Sequence, residues 1–380
     1  MGTPSRTGEQ PQGDSGGRIA SLDGLRALSI VLVMIGHLFG RSGTVVDGRA
    51  QLFSRVAHFG VIVFFVISGF LITTLLLDER ARTGTTDLTA FYVRRALRIV
   101  PPLLLFLTGV LIGGHLGWFS LTNSDVVHAL TYTTNYQVAP SWTLGHLWSL
   151  SVEEQFYLLW PLLFVRLSAR RAVTPALAMF VAAPLVRALM HVMISNSKYR
   201  DLPVFPAVAD AIAAGCLMAL LRPRLLAWQP YVRFTGSPAL ALLLVPVVVV
   251  DTFDGYTLVN LFGAPLVLVA VTVLMEACTR MRATPVGALL NWRPVAFIGT
   301  ISYSLYLWQQ PFLNPQAHAF FNVLPVNIML VLSCALVSYY LVELPLMAWR
   351  RRWRQRPQRP QRRPPTAGMH GRGSLAIPAR

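Results

Sequence analysis

Ten stretches of the 380-residue chain stay apolar for close to the roughly 20 residues an α-helix needs to cross a bilayer, and no other feature constrains the fold as strongly. They lie near residues 20–40, 57–77, 99–118, 145–166, 173–194, 203–221, 238–252, 257–278, 294–313 and 325–348. The seventh, "PALALLLVPVVVVDT", is short and carries Pro246. Hydrophobic residues make up 54% of the chain and charged ones only 13%, about half the charge density of a soluble domain. The expected fold is an all-α polytopic integral membrane protein of about ten transmembrane helices, multi-pass in the cell membrane.

A net charge of +17 would suggest nucleic acid in a soluble protein. Here the arginines fall in short loops and one tail, the positive-inside pattern, which sets nucleic acid aside as a partner and leaves the lipid bilayer. An N-terminus inside puts Arg80, Arg82, Arg94, Arg95 and Arg98 in the cytoplasm, with the arginines of 166–171, 222–233 and 280–293. Residues 119–144 and the loop between the last two spans contain no Lys or Arg. Both termini are therefore expected in the cytoplasm. Residues 1–18 read as a disordered tail, with no cleavable signal peptide, 19–349 as the transmembrane domain, and 350–380 as an Arg/Pro-rich disordered tail. Cys216, Cys278 and Cys334 lie within apolar runs, so neither a disulfide framework nor a metal site is expected.

Several ionisable groups sit where a membrane span should be. Arg26 and His37 bound the stretch "RALSIVLVMIGH". Eleven residues of ideal helix turn through about 1100°, so both side chains share a face, roughly 16 Å apart along the axis. Such groups are costly in a bilayer and usually face a polar cavity or a partner. The plainer readings are Arg26 snorkelling to the surface beside Asp23 and His37 hydrogen-bonded to a neighbouring helix. In "FYVRRALRIVPP", Arg94, Arg95 and Arg98 either hold a phosphorylated ligand or form a positive-inside flank. In "LGHLWSLSVEEQFYLLWP", adjacent Glu153 and Glu154 follow His146 and Ser149, and need a cavity, a cation or an ion pair with an arginine such as Arg187. Asp210, Glu343 and the Tyr303, Tyr306, Trp308, Gln309 and Gln310 group of "GTISYSLYLWQQP" are further polar points. Ser68 and Gly69 suit close helix packing.

Taken in order, "LDGLRALSIVLVMIGH", "FFVISGFLI", "RRALRIVPP", "HLWSLSVEEQFYLLWP", "ISYSLYLW" and "YYLVELP" resemble the acyltransferase-3 family of membrane O-acyltransferases, over about residues 19–348. The resemblance implies transfer of an acyl group, often acetyl from acetyl-CoA, to a hydroxyl of a cell-envelope glycan, another carbohydrate or a glycosylated metabolite. It matches Arg26 and His37 to the family's essential pair, Arg94, Arg95 and Arg98 to its cytoplasmic basic motif, and Glu153 to its recurrent carboxylate. Two departures stand out: Gln309 where the family often has His, and Val208 where it often has Arg two residues before the aspartate.

The expected mechanism follows from that resemblance. Acyl-CoA (acetyl-CoA) is a co-substrate, with no tightly bound cofactor, and is held by Arg26, Arg94, Arg95 and Arg98. His37 is the general base, oriented by Glu153 or Glu343. Ser149, Asp210, Tyr303 and Gln309 are the expected substrate-binding residues, although an amide at Gln309 cannot exchange protons near neutral pH. The reading from another class is a transporter or exporter of a polar solute or glycan intermediate, which intramembrane charges suit equally.

Overall fold

The computed structural model describes residues 20–40, 48–250, 259–314 and 319–354, and these are all helical, with turns and loops but no strand. Twelve principal helices follow one another: α1 (Ala20–Phe39), α2 (Gly48–Thr83), α3 (Leu88–His115), α4 (Asn123–Leu130), α5 (Leu147–Arg166) and α6 (Ala169–Met193), then α7 (Phe205–Ala227), α8 (Ala264–Arg280), α9 (Arg293–Thr300), α10 (Ser302–Phe312), α11 (Val326–Ser338) and α12 (Leu344–Arg354). Among the described residues seven helices are long and apolar enough to cross a membrane, and the protein is a multi-pass membrane protein.

Seven of the ten expected spans match those helices, and three depart from expectation. The fourth, α5, has the length to cross, but Glu153, Glu154 and Gln155 in mid-helix make it too polar to count among the seven. The seventh is a broken pair, Gln229–Thr235 and Pro238–Val247, bent by 80°. The ninth is two short helices, α9 and α10, that meet at Ile301. The helical chain continues to Arg354, past the tail boundary expected at 350. The expected tails at 1–18 and beyond 354 lie outside the described residues.

The helix α2 is the hub. Its most apolar window is 67% buried, against 17% for α6, which leaves α6 mostly facing lipid. Packing of α1 and α7 against α2 builds the main core, with Phe70, Ile67, Ile30 and Ile212 fully enclosed. Without a hydrophobic drive between helices in lipid, such contacts depend on close approach. At the α2–α7 crossing that approach is set by two glycines: a Cβ on Gly69 would lie 2.0 Å from the Ile212 carbonyl oxygen, and one on Gly215 2.1 Å from that of Val66. A second cluster joins α3, α4, the start of α5 and Leu307 of α10. Between α11 and α12 the chain makes a π-helical turn, Tyr339–Glu343, which swings Glu343 inward to 6% exposure.

Candidate active site

Two cavities open inside the bundle and share a wall formed by Val61 and Phe65 of α2. The smaller, about 490 Å³ with its mouth, is lined by Arg26 of α1, Ser68 of α2, Ser149 and Glu153 of α5, and Tyr303 and Tyr306 of α10. Ser149 and Glu153 are one turn apart on α5, so they face the same way. Ser68 Oγ donates to Glu153 Oε1 at 2.7 Å. Arg26, Arg95 and Arg98 all act electrostatically on Glu153. Arg26 has no hydrogen bond or ion pair to another described residue, and its Nε is buried without a partner.

The three arginines of α3 divide. Arg95 turns inward, donating to Glu154 Oε1 at 3.0 Å with its guanidinium over the Tyr157 ring. Arg187, the partner suggested by sequence for these glutamates, pairs with Asp210 instead. Arg94 is 3.5 Å from Glu79. Arg98 is exposed, forms no ion pair among the described residues, and lies in the field of Arg26, Arg95 and Glu343. The basic motif is thus one cation already neutralised, one loosely paired and one open.

His37 is not a lining residue of the smaller cavity. Arg26 and His37 do both lie on α1, but only Arg26 of the two lines this cavity. Tyr306 lines it as well. Its hydroxyl donates to the His146 carbonyl at 2.7 Å and therefore accepts from Ser149 Oγ at 2.6 Å. One turn further along α10, Gln309 Oε1 meets His37 Nδ1 at 2.8 Å. An amide oxygen only accepts, so with the Gln309 amide in this orientation Nδ1 carries the proton, and in the neutral imidazole Nε2 then has the lone pair. The Trp142 ring meets the imidazole edge-on at 5.7 Å.

The expected site residues make the following contacts. The side chain hydrogen-bonded to His37 is the Gln309 amide, and neither Glu153 nor Glu343 contacts the imidazole among the described residues. Glu153 is held by Ser68, and Glu343 accepts from Ser304 on the Arg98 side. Gln309, expected to bind substrate, is engaged with His37. The Ser149 hydroxyl is engaged with Tyr306, and Tyr303 lines the cavity with its ring while its hydroxyl donates to the Ile99 carbonyl at 2.8 Å.

The larger cavity, about 1320 Å³ with its mouth, is lined on α2 by Ser54, Arg55 and His58, nearer the start of that helix than Ser68 of the smaller cavity. Arg187 and Asp210 form an ion pair in its wall at 2.8 Å, and Arg187 also donates to the Ala207 carbonyl at 2.6 Å. Val208, which departs from the resembled pattern, lines the same cavity, so the guanidinium beside Asp210 comes from α6 instead of from α7 itself. No group of three metal-ligating side chains occurs among the described residues.

Residues 19–343 match the family model described as an acyltransferase domain. The chain belongs to the acyltransferase-3 family. This acyltransferase-3 chain is 29% identical over 374 residues to the O-acetyltransferase OatA of Staphylococcus aureus, covering 86% of this chain and 57% of that protein. It is 27% identical over 369 residues to YrhL of Bacillus subtilis, covering 86% of this chain and 55% of that protein. It is 26% identical over 323 residues to the peptidoglycan O-acetyltransferase OatA of Listeria monocytogenes, covering 78% and 49%. The chain therefore spans about half the length of the curated relatives it matches. No solved structure matches it significantly.

Two features of this acyltransferase-3 site were not anticipated from its sequence. Ser68 was expected only to pack, yet it holds Glu153. The segment 122–145 roofs the His37 end. Asp125, 1% exposed, accepts from the Thr122 and Ser141 amides, the Thr122 hydroxyl and the Gln137 side chain. Trp142 Nε1 donates to the Gln310 carbonyl and Gln310 Nε2 to the Trp142 carbonyl, at 2.9 and 2.5 Å. The available signal was the Thr122-x-x-Asp125 spacing of a capping box directly before a short helix.

Proposed function

We propose that the chain is a membrane O-acyltransferase that moves an acyl group, acetyl by analogy with relatives named O-acetyltransferases, from coenzyme A to a carbohydrate hydroxyl. The arginine-rich end lies in the cytoplasm, where the thioester enters. Arg98 and Arg26, which form no ion pair among the described residues, receive the donor's phosphates and the polar part of its arm. The arm occupies the smaller cavity beneath Tyr306, and the thioester reaches His37 when Tyr306 releases His146. The acceptor approaches through the larger cavity, beside the Arg187–Asp210 pair.

His37 Nε2 takes the proton of the acceptor hydroxyl as its oxygen attacks the thioester carbonyl carbon. The new C–O bond forms, the C–S bond breaks, and the electron pair leaves on sulfur. A thiolate of ordinary pKa about 8.5 departs without strong acid help and later takes up the proton held by the imidazole. The Gln309 carbonyl keeps Nδ1 protonated throughout, the tautomer-holding duty that a carboxylate performs elsewhere.

The observation that carries this reading is the imidazole fixed by Gln309, one turn along α10 from Tyr306, whose cavity is also lined by the Arg26 guanidinium. Family membership favours the enzyme over a transporter. The test is release of free thiol and transfer of labelled acetyl from acetyl-CoA by purified protein in nanodiscs, supplied with cell-envelope and small-molecule extracts. His37→Ala should lose about 10²–10⁴-fold in rate with donor binding kept. Wild-type turnover in His37→Ala would remove the proposed base.

A further inference from the structure

One buried imidazole has no part in the reaction described so far. His146 is 3% exposed and stands among the rings of Phe106 and Tyr306, at 5.8 and 5.3 Å between centroids. Neither ring nitrogen makes a hydrogen bond of good geometry among the described residues, and the backbone group acting on the ring is the Leu307 carbonyl. That carbonyl is short of its helical donor, because Pro311, one turn later in α10, has no N–H. The ring N–H is drawn to it, so in the neutral imidazole the other nitrogen keeps a lone pair and no partner. Burying such an acceptor unmatched is costly, and a phenylalanine would fill the same aromatic nest without that loss.

The position of His146 identifies what matches it. Its backbone is helical (φ −60°, ψ −21°) at the head of α5, so it continues the stripe formed by Ser149 and Glu153. Those two side chains line the smaller cavity, and so does Tyr306, whose ring lies against the imidazole. His37 acts on His146 electrostatically. We infer that His146 is a donor-binding residue: its free ring nitrogen accepts the N–H of the secondary amide nearest the sulfur in the thioester's arm. The inference rests on the reading that a coenzyme A thioester fills the smaller cavity. That amide is only a short carbon bridge from the sulfur, so holding its N–H at His146 sets the thioester carbonyl toward His37. An acceptor hydroxyl is the poorer match, because His146 extends a stripe of the donor cavity and neither Ser149 nor Glu153 lines the larger one.

The probes are acetyl-CoA and an analogue with an ester oxygen in place of that amide N–H, each given to the purified chain in nanodiscs. The wild type should prefer acetyl-CoA about 10–100-fold in kcat/KM, the worth of one buried hydrogen bond. The same preference should appear as affinity for His37→Ala, where no turnover intervenes. His146→Phe should bring the ratio close to one by lowering the use of acetyl-CoA to the level of the analogue. His146→Gln, with an acceptor oxygen, should keep part of the preference. A change at His146 that only disturbed packing would weaken both donors alike and leave the ratio standing. Thermal unfolding checks both variants. If neither folds, nitrogen NMR of labelled histidine in the wild type decides, since acetyl-CoA and not the analogue should shift a ring nitrogen of His146. Equal use and binding of the two donors by the wild type, or a ratio unchanged in His146→Phe, would overturn the inference and leave acyl transfer intact. A wild type that neither binds nor uses acetyl-CoA would overturn the donor reading and this inference together, a result distinct from equal use.

Discussion

Arg187 in the larger cavity and Arg26 in the smaller one are treated in opposite ways. In the larger one Arg187 meets Asp210 at 2.8 Å, and the pair is closed within the protein. In the smaller one Arg26 faces Glu153 across open space, Glu153 is satisfied by Ser68, and Arg26 has no ion pair among the described residues. A charge that the fold neutralises itself shapes a site for uncharged groups. A charge left open in a cavity awaits an anion from elsewhere. The donor side and the acceptor side of the proposed reaction are separated by that difference, with His37 outside the lining of both.

Removing half of the closed pair gives the largest effect. Asp210→Ala strands a mostly buried guanidinium and is expected to cost about 3–5 kcal/mol of stability, read as a lowered unfolding temperature in nanodiscs. The double change Arg187→Met/Asp210→Leu removes both charges and should recover most of that loss. If Asp210→Ala melted like the wild type, the pair would be solvated and the contrast between the cavities would fail. Arg26→Met is the counterpart experiment. It strands no carboxylate, so stability should change little, while acetyl-CoA binding should weaken about 10–100-fold, the worth of a charge-assisted hydrogen bond. Stability loss without an affinity change would mean that Arg26 is structural.

Gln309 tests the junction of the two regions. Gln309→Leu removes the acceptor for His37 Nδ1–H and should lower kcat about 10-fold with KM for the donor nearly unchanged. Gln309→Glu, which restores an acceptor oxygen at the same reach, should recover most of it. A rise in KM with kcat intact would return Gln309 to the substrate-binding role its sequence position suggested.

The parts legible in the sequence are those set by the bilayer. Seven apolar runs became long helices because their hydropathy alone fixes the outcome. Partnerships between helices were not legible in the same way. Glu153 and Glu154 visibly needed partners, but their partners came from Ser68 and Arg95, on α2 and α3. Both faces of a membrane helix are apolar, so the pattern that fixes a span does not fix its rotation against its neighbours. The same degeneracy concealed Gln309: the sequence displayed a missing imidazole, while the useful fact was an amide oxygen aimed at His37. The break at Ile301, which makes α10 a separate helix, is marked in the sequence only by Gly299 two residues upstream, inside an otherwise continuous apolar run.

The roof over His37 supplies the smallest and most pH-dependent prediction. Burial alone would push the Asp125 carboxyl upward, but the Ser141 and Thr122 amides, the Thr122 hydroxyl and the Gln137 side chain together hold it below the usual carboxylate range. The unfolded segment binds a proton more readily than the folded one. The stabilisation is therefore complete above the ordinary aspartate value and is lost as pH falls through the lower, folded one. Hydrogen exchange at the Ser141 amide, corrected for the intrinsic pH dependence of exchange, should report it: protection constant near neutrality and falling in acid. Asp125→Asn keeps the shape and removes the charge, so it should cost about 1 kcal/mol near neutrality and flatten the acid dependence. Because the roof is stapled to α10 through Trp142 and Gln310, its loosening should also reduce turnover at low pH while leaving donor affinity in the smaller cavity untouched. An acid loss of donor affinity instead would place the titrating group among the carboxylates of the smaller cavity and remove Asp125 from the account.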